Sequence, residues 1–170
     1  MKQCQFFRLI LLSAIISFCM CYLPACTTTK HPVEVVGASE TEVQQAIADD
    51  RWIFVANQVM PQSGRSRILT TRYTMLCNKD TILSALPYFG RAYSAPIGET
   101  KSPLDFTSAN FVLTKNVDKK GRWNVTIKPN DYSEVQSYIF TLFTNGSAQL
   151  NVQMKSRSPI SFSGTVAPIK

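Results

Sequence analysis

The dipeptide Asn145-Gly146 and its two flanking segments constrain the fold more than any other feature of this sequence. Residues 135–144 and 147–155 are rich in apolar and β-branched side chains, as strands are. Asn and Gly both tolerate the positive φ angles of a type I′ turn, the commonest two-residue connection between antiparallel strands. The sequence therefore predicts a β-hairpin centred on this dipeptide.

A two-residue turn also fixes the register of this hairpin. It places Thr141 opposite Leu150 and Ile139 opposite Val152 on the core face. The reverse face then carries an apolar stripe, composed of Tyr138, Phe140 and Leu142. Because exposed apolar patches are uncommon on soluble domains, we expect a cover over this stripe: the helix predicted at residues 40–50, the loop at residues 84–102, or a ligand.

Alternating or strand-like segments recur along the rest of the chain: from residue 52 to the turn-rich residues 60–64, then 67–77, 81–83, 106–116, 121–128 and 160–166. Ser39 followed by Glu42 forms a capping box, which predicts one short helix over residues 40–50. The predicted fold is mainly β (α+β), an antiparallel sheet of about eight strands with one short N-terminal helix. The patterns leave open whether the sheet is an open curved one or a lipocalin-like closed barrel.

The first 25 residues have the profile of a signal peptide. Lys2 and Arg8 precede or flank a short apolar run over residues 9–18, and Leu23-Pro24-Ala25-Cys26 follows. This tetrapeptide resembles the lipobox of bacterial lipoproteins, although Pro24 departs from the small or β-branched residue usual there. We expect a signal peptide over 1–25, a lipidated Cys26 with a tether to residue 38, and a single domain over 39–170. Ordinary secretion is the alternative.

This interpretation places the protein in the bacterial envelope, with Cys26 anchored to the outer or inner membrane. No acidic run follows Cys26; such a run resembles the surface-export tag of some Bacteroidota lipoproteins, so the periplasmic face is favoured. Cys77 is then the only cysteine of the folded domain, which excludes an internal disulfide and is typical of a small buried hydrophobe.

Charge and residue type argue against several functions. Removing Lys2 and Arg8 from the 18 basic residues leaves 16 against 11 acidic ones, scattered along the chain. This pattern does not predict nucleic-acid binding, whereas a weak positive field suits anionic lipid head groups or acidic glycans. The only histidine, His31, lies in the tether, and the aspartates stand in caps and turns. We therefore expect no enzyme, no metal site and no cofactor.

One segment carries the most specific sequence signal: Leu86-Pro87-Tyr88-Phe89-Gly90-Arg91-Ala92-Tyr93. Together with Leu104-Asp105-Phe106, the hairpin and residues 156–164, it resembles the domain of unknown function 4251 family over about residues 40–167. Phe162 stands where the family leads us to expect a tyrosine. The resemblance implies an envelope or secreted protein of the Bacteroidota, and it implies no catalytic residues.

The candidate binding residues are Tyr88, Phe89, Arg91 and Tyr93 of this segment. Aromatic rings beside a guanidinium can stack on sugars or hold an anion. The alternative is that Leu86, Tyr88 and Phe89 close one open end of the sheet while Arg91 pairs with Asp105 or a carbonyl. The leading hypothesis is a membrane-anchored binding or interaction module for a lipid, a glycan or a partner protein. A structural envelope protein without a small ligand is the alternative, and a hydrolase using carboxylates alone is a more distant one.

Overall fold

The computed structural model describes residues 38–93 and 101–169. The predicted signal peptide, Cys26 and nearly all of the tether lie outside the described residues. One helix and nine strands follow in chain order: α1 Glu40–Ala48, β1 Arg51–Pro61, β2 Arg67–Asn78, β3 Thr81–Ala85, β4 Asp105–Ser108, β5 Phe111–Val117, β6 Trp123–Pro129, β7 Val135–Leu142, β8 Ser147–Met154 and β9 Ile160–Pro168.

All nine strands form one antiparallel sheet in the order β4-β3-β2-β1-β9-β8-β7-β6-β5. β4 and β5 lie at opposite edges of the sheet, yet only Ala109 and Asn110 separate them along the chain. A two-residue connection can join opposite edges only if the sheet curves round until those edges approach each other. The predicted mainly β fold with one short helix is therefore confirmed, as a sheet nearly closed into a barrel.

The predicted strand over residues 106–116 is in fact two strands, which is why the sheet has nine strands rather than about eight. Asp131 holds the break between them. Its carboxylate accepts hydrogen bonds from the Ser108 hydroxyl and from the N–H groups of Ala109 (3.0 Å) and Asn110 (3.1 Å). These bonds, the Ser108 bond foremost, lower the pKa of the Asp131 carboxyl. Asp131 thus accepts hydrogen bonds from two backbone N–H groups that lie between the strands and take no part in strand pairing.

The hairpin at Asn145-Gly146 exists, but its predicted turn and register are wrong. The N–H of Gly146 donates to the carbonyl of Phe143, and the N–H of Phe143 donates to the carbonyl of Ser147, both over 3.0 Å. Gly146 has a φ of 80° while Asn145 has none of the positive φ that a type I′ turn requires. The connection is therefore a type I turn followed by a left-handed glycine, with one residue more than predicted.

That extra residue moves every pair of the hairpin by one position. Phe140 lies opposite Leu150, and Tyr138 lies opposite Val152. Since side chains alternate between faces, the shift turns the predicted apolar stripe into the core face. Tyr138, Phe140 and Leu142 are fully buried in one core with the helix residues Val43, Ala46 and Ile47. The protein itself therefore covers the stripe, and only its predicted placement on the reverse face is wrong.

The core lies on the concave side of the sheet and is centred on aromatic side chains. The rings of Trp52 and Phe54 meet that of Phe140 edge-on, with centroids 5.0 and 5.5 Å apart, a favourable geometry for aromatic pairs. Cys77, opposite Trp52 in the sheet, is buried in the same core. Burial raises the pKa of its thiol to about 12, which makes it inert, as the lone cysteine was expected to be.

Helix α1 begins as predicted and ends at Ala48, two residues before the predicted end. The Ser39 hydroxyl accepts from the N–H of Glu42, and the Glu42 carboxylate accepts from the N–H of Ser39. Its buried stripe, composed of Val43, Ala46 and Ile47, packs on the core. At the other terminus the Lys115 ammonium donates to the carbonyls of Ile47 and Ala48 and to Asp50. In the described part of the chain, the helical segment is too short to cross a membrane.

Candidate functional site

The segment over residues 86–93 leaves β3 and is anchored to the sheet at its first residue. Leu86 is buried, and its N–H donates to the carbonyl of Leu104. The Ser102 hydroxyl donates to the carbonyl of Leu86 over 2.6 Å and accepts from the N–H of Leu104. These reciprocal bonds hold the start of the segment against the residues that precede β4.

The Tyr88 hydroxyl fastens the middle of the segment to the connection between β8 and β9. It lies 2.9 Å from the Ser158 carbonyl, 3.1 Å from the Ser158 hydroxyl and 3.0 Å from the Arg91 carbonyl. The backbones of Arg91 and Ser158 are also bonded, because the N–H of Ser158 donates to the Arg91 carbonyl and the N–H of Arg91 donates to the Ser158 hydroxyl. Tyr88 therefore has a clear structural role.

Gly90 is required by this arrangement. A Cβ at position 90 would lie 2.3 Å from the Tyr88 hydroxyl oxygen and 2.7 Å from the Ser158 hydroxyl oxygen. Any other residue would push the Tyr88 hydroxyl away from its partners. The Phe-Gly-Arg sequence thus reflects the close approach of Tyr88 to the backbone of its own segment.

Beside this segment lies a groove with a volume of about 570 Å³. We call it the aromatic–basic groove. Its walls come from β2, from the ends of β3 and β4 and from the connection between β8 and β9, and its lining combines aromatic, proline and charged side chains: Arg72, Tyr73, Ala85, Leu86, Pro87, Tyr88, Phe89, Lys101, Ser102, Pro103, Asp105 and Arg157. A concave surface with apolar walls and a few charged groups is the usual form of a ligand site.

Two guanidinium groups lie over two of the aromatic rings of the groove, those of Tyr88 and Phe89. Arg157 lies 5.6 Å from the ring centroid of Tyr88, and its Nε donates to Glu134 over 3.0 Å. Arg67 lies 5.3 Å from the ring centroid of Phe89. Both distances permit a cation–π contact. Arg157 is thus fixed by a carboxylate and a ring, while Arg67 extends the positive charge at the rim.

The structure brings two of the four predicted binding residues into the groove. Tyr88 and Phe89 line it, and the Phe89 side chain is 40 % exposed. Arg91 and Tyr93 are exposed but do not belong to the lining, and Tyr93 is 71 % exposed. No ion pair joins Arg91 to Asp105 among the described residues; Arg91 instead contributes its backbone to the contact with Ser158.

Sequence reasoning missed the three basic side chains of the lining, Arg72, Lys101 and Arg157. They are far apart in the chain and meet only because β2, the residues before β4 and the β8–β9 connection converge. Arg157 had one signal, because it stands in the segment over residues 156–164 that carried the family resemblance. No motif in the sequence singled out Arg72 or Lys101.

A second concave surface of about 720 Å³ lies on the outer face of β7, β8 and β9. Its polar lining is uncharged, and two of its amides are bonded to neighbours: Gln153 donates to Asn151 over 2.5 Å, and Asn151 donates to Ser161 over 2.9 Å. Ile139, 41 % exposed, adds an apolar side chain. These bonds engage part of the hydrogen-bonding capacity that a ligand would use, and this surface lacks the charged side chains of the aromatic–basic groove.

The described residues contain no group of three His, Cys, Asp or Glu side chains that could hold a metal ion. The Tyr138 hydroxyl is buried, donates to Ser84 over 3.1 Å, and has a pKa raised by burial. It lies in the core rather than in either concave surface. The aromatic–basic groove presents basic side chains and an exposed aromatic ring, groups that can hold a ligand by charge and stacking.

Comparison with known proteins identifies the family. The model of the domain of unknown function DUF4251 matches residues 36–166. A search of curated proteins finds no match. A crystal structure of a DUF4251 family protein from Bacteroides eggerthii DSM 20697, at 1.95 Å resolution, is similar with a TM-score of 0.56 and 19 % sequence identity, over 76 % of this chain and 87 % of that chain. The resemblance noted in the sequence is thereby confirmed: this chain belongs to the DUF4251 family.

Proposed function

We propose that this protein is a non-enzymatic binding module of the bacterial envelope, held on a membrane through Cys26, and that the aromatic–basic groove takes its ligand. The observation that carries the proposal is the groove itself, where exposed Phe89 and three basic side chains line one concavity. Lipids, glycans and partner proteins all offer the anionic and apolar groups that such a lining recognises.

The exposure of Phe89 supports a binding role over pure packing. Leu86 and Pro87, which precede it, are buried and already cover the apolar end of the sheet. Phe89 has its ring outside that cover and in contact with Arg67. A large aromatic ring left exposed beside a cation is a common feature of interaction surfaces.

The ligand is tested by native mass spectrometry of the full-length protein, purified gently from its own envelope fraction. We expect the wild type and Val112→Ala to carry a bound mass that Phe89→Ala lacks. Val112 is a matched control because it is a half-exposed apolar residue on β5, away from the groove. If all three proteins are empty, or if Phe89→Ala keeps the bound mass, the groove does not hold a ligand.

The anchor is tested separately, by substitution of the cysteine that would carry it. Cys26→Ser should move the protein from the membrane fraction to the soluble fraction and abolish its labelling with radioactive palmitate, since one acylated cysteine is the proposed attachment. Cys77→Ser is the matched control, because Cys77 is buried in the core. Unchanged membrane association of Cys26→Ser would refute the lipoprotein assignment.

The structural alternative, an envelope protein with no small ligand, draws on the hydrogen bonds of Tyr88. The three contacts of its hydroxyl all lie within the domain. Under this alternative the groove is a by-product of loop packing. Phe89→Ala would then change neither a bound mass nor any interaction of the protein.

A further inference from the structure

We infer that the ligand of the aromatic–basic groove carries an oxyanion, a phosphate or a carboxylate, which Arg72 and Lys101 bind, and that an apolar or ring-shaped body of the ligand lies on Phe89. This inference rests on the proposed function, because it specifies the chemistry of the ligand for the same groove.

The charges of the lining point to an anion. Among the described residues, three basic side chains and one acidic one, Asp105, line the groove, and Arg67 stands over Phe89 at its edge. In a concave surface with apolar walls, cations attract an anion more strongly than they do on an open surface. The groove therefore selects for negative charge.

The basic residues of the lining differ in how free they are to bind. Arg157 is engaged by Glu134 and by the ring of Tyr88, so its charge is already compensated. Arg72 and Lys101 are exposed, and neither forms an ion pair with another residue in the parts of the chain that the structure describes. They are the two cations available to a ligand.

An oxyanion matches these two groups chemically. A guanidinium donates two parallel hydrogen bonds to a phosphate or carboxylate, and an ammonium adds a point charge. Phe89, on the adjacent wall, offers exposed apolar surface but no hydrogen-bond donor from its side chain. A small inorganic ion would leave this wall unused, which is why we assign the ligand an apolar or ring-shaped body as well.

Titration calorimetry on the full-length protein tests this chemistry with two probes that share a tail. Dodecyl phosphate carries the oxyanion and dodecyl maltoside does not, and both are used below their micelle concentrations. We expect the wild type to bind dodecyl phosphate at least tenfold more tightly than dodecyl maltoside. Each of Arg72→Gln and Lys101→Gln should weaken dodecyl phosphate binding about tenfold, or about 1.4 kcal/mol.

Lys128→Gln is the control, since it removes one charge from an exposed lysine of β6 outside the groove. It should bind dodecyl phosphate like the wild type. Inorganic phosphate and glucuronate then distinguish the sources: measurable binding of either supports a soluble ligand, and binding of dodecyl phosphate alone supports a lipid head group.

Equal affinity for the two dodecyl probes, or equal losses in Lys101→Gln and Lys128→Gln, would overturn the assignment of an oxyanion. A protein that binds neither dodecyl probe overturns it as well. Such results leave the proposed function standing if native mass spectrometry finds a bound mass that depends on Phe89. An empty wild type in that experiment refutes the proposed function instead.

Discussion

Replacing Tyr88 by Phe removes one oxygen from the centre of the candidate site and leaves the ring in the groove. The hydroxyl of Tyr88 contacts three oxygen atoms, two on Ser158 and one on Arg91. The Arg91 carbonyl keeps the N–H of Ser158, and the Ser158 hydroxyl keeps the N–H of Arg91. The Ser158 carbonyl alone loses the only hydrogen-bond donor that it has among the described residues.

One lost hydrogen bond costs about 1 kcal/mol, and leaving a nearly buried carbonyl unsatisfied adds up to about 1 kcal/mol more. Because Ser158 is only 6 % exposed, we expect Tyr88→Phe to lower the free energy of unfolding by about 1–2 kcal/mol. Urea unfolding followed by tryptophan fluorescence measures this loss. Tyr93→Phe is the control, since its side chain is 71 % exposed, and it should stay within about 0.5 kcal/mol of the wild type.

The same variant separates the two roles of the segment. Because the ring of Tyr88 remains, Tyr88→Phe should retain the ligand while it unfolds at lower urea concentration. If Tyr88→Phe unfolds with the wild type but loses the bound mass, the hydroxyl serves the ligand and our structural assignment is refuted.

Three further predictions concern the scaffold. Gly164→Ala should lower the free energy of unfolding by about 3–5 kcal/mol, because its Cβ would lie 1.9 Å from the Val55 carbonyl oxygen. Gly64 has no atom within 4 Å of its Cβ position and a φ of 116°, so Gly64→Ala should cost only about 1–2 kcal/mol. Thermal unfolding measures both losses, and equal losses would contradict the steric argument. Asp131 has a lowered pKa in the folded state, so its charge stabilises the fold above the ordinary pKa of 3.8 and this stabilisation is lost as pH falls. The stability difference between the wild type and Asp131→Asn should therefore shrink between about pH 7 and about pH 3, and a constant difference would refute this linkage. Cys77 should not react with iodoacetamide in the folded protein at about pH 8, because its thiol is buried and burial raises its pKa to about 12. In urea it should react fully. Rapid labelling without urea would show that the thiol is accessible.

The sequence predicted those elements whose causes are local. The side chains of Ser39 and Glu42 each accept a hydrogen bond from the other's backbone N–H within one helical turn. Their spacing alone was therefore sufficient to predict where α1 begins. Alternation gave the strands for the same reason. The break within the predicted 106–116 strand was missed because it depends on Asp131, which lies 22 residues from Ala109 in the sequence.

The hairpin register shows how a small local ambiguity becomes a large error. Asn145-Gly146 suits both a two-residue turn and the last two positions of a longer one, and only the core decides between them. Tyr138, Phe140 and Leu142 carry more apolar surface than Thr141 and Ile139, so the longer connection buries more. The groove was beyond local reasoning, because Arg72, Lys101 and Arg157 converge only after the sheet has curved.

The pairing of β1 with β9 at the centre of the sheet dictates when this domain can fold. Nine residue pairs join the two strands, from Trp52 opposite Pro168 to Pro61 opposite Ile160. A chain that emerges N-terminus first, from a ribosome or a membrane pore, has made β1 long before its central partner exists. The sheet cannot close until nearly the whole domain has emerged, so these contacts of high sequence separation slow its folding.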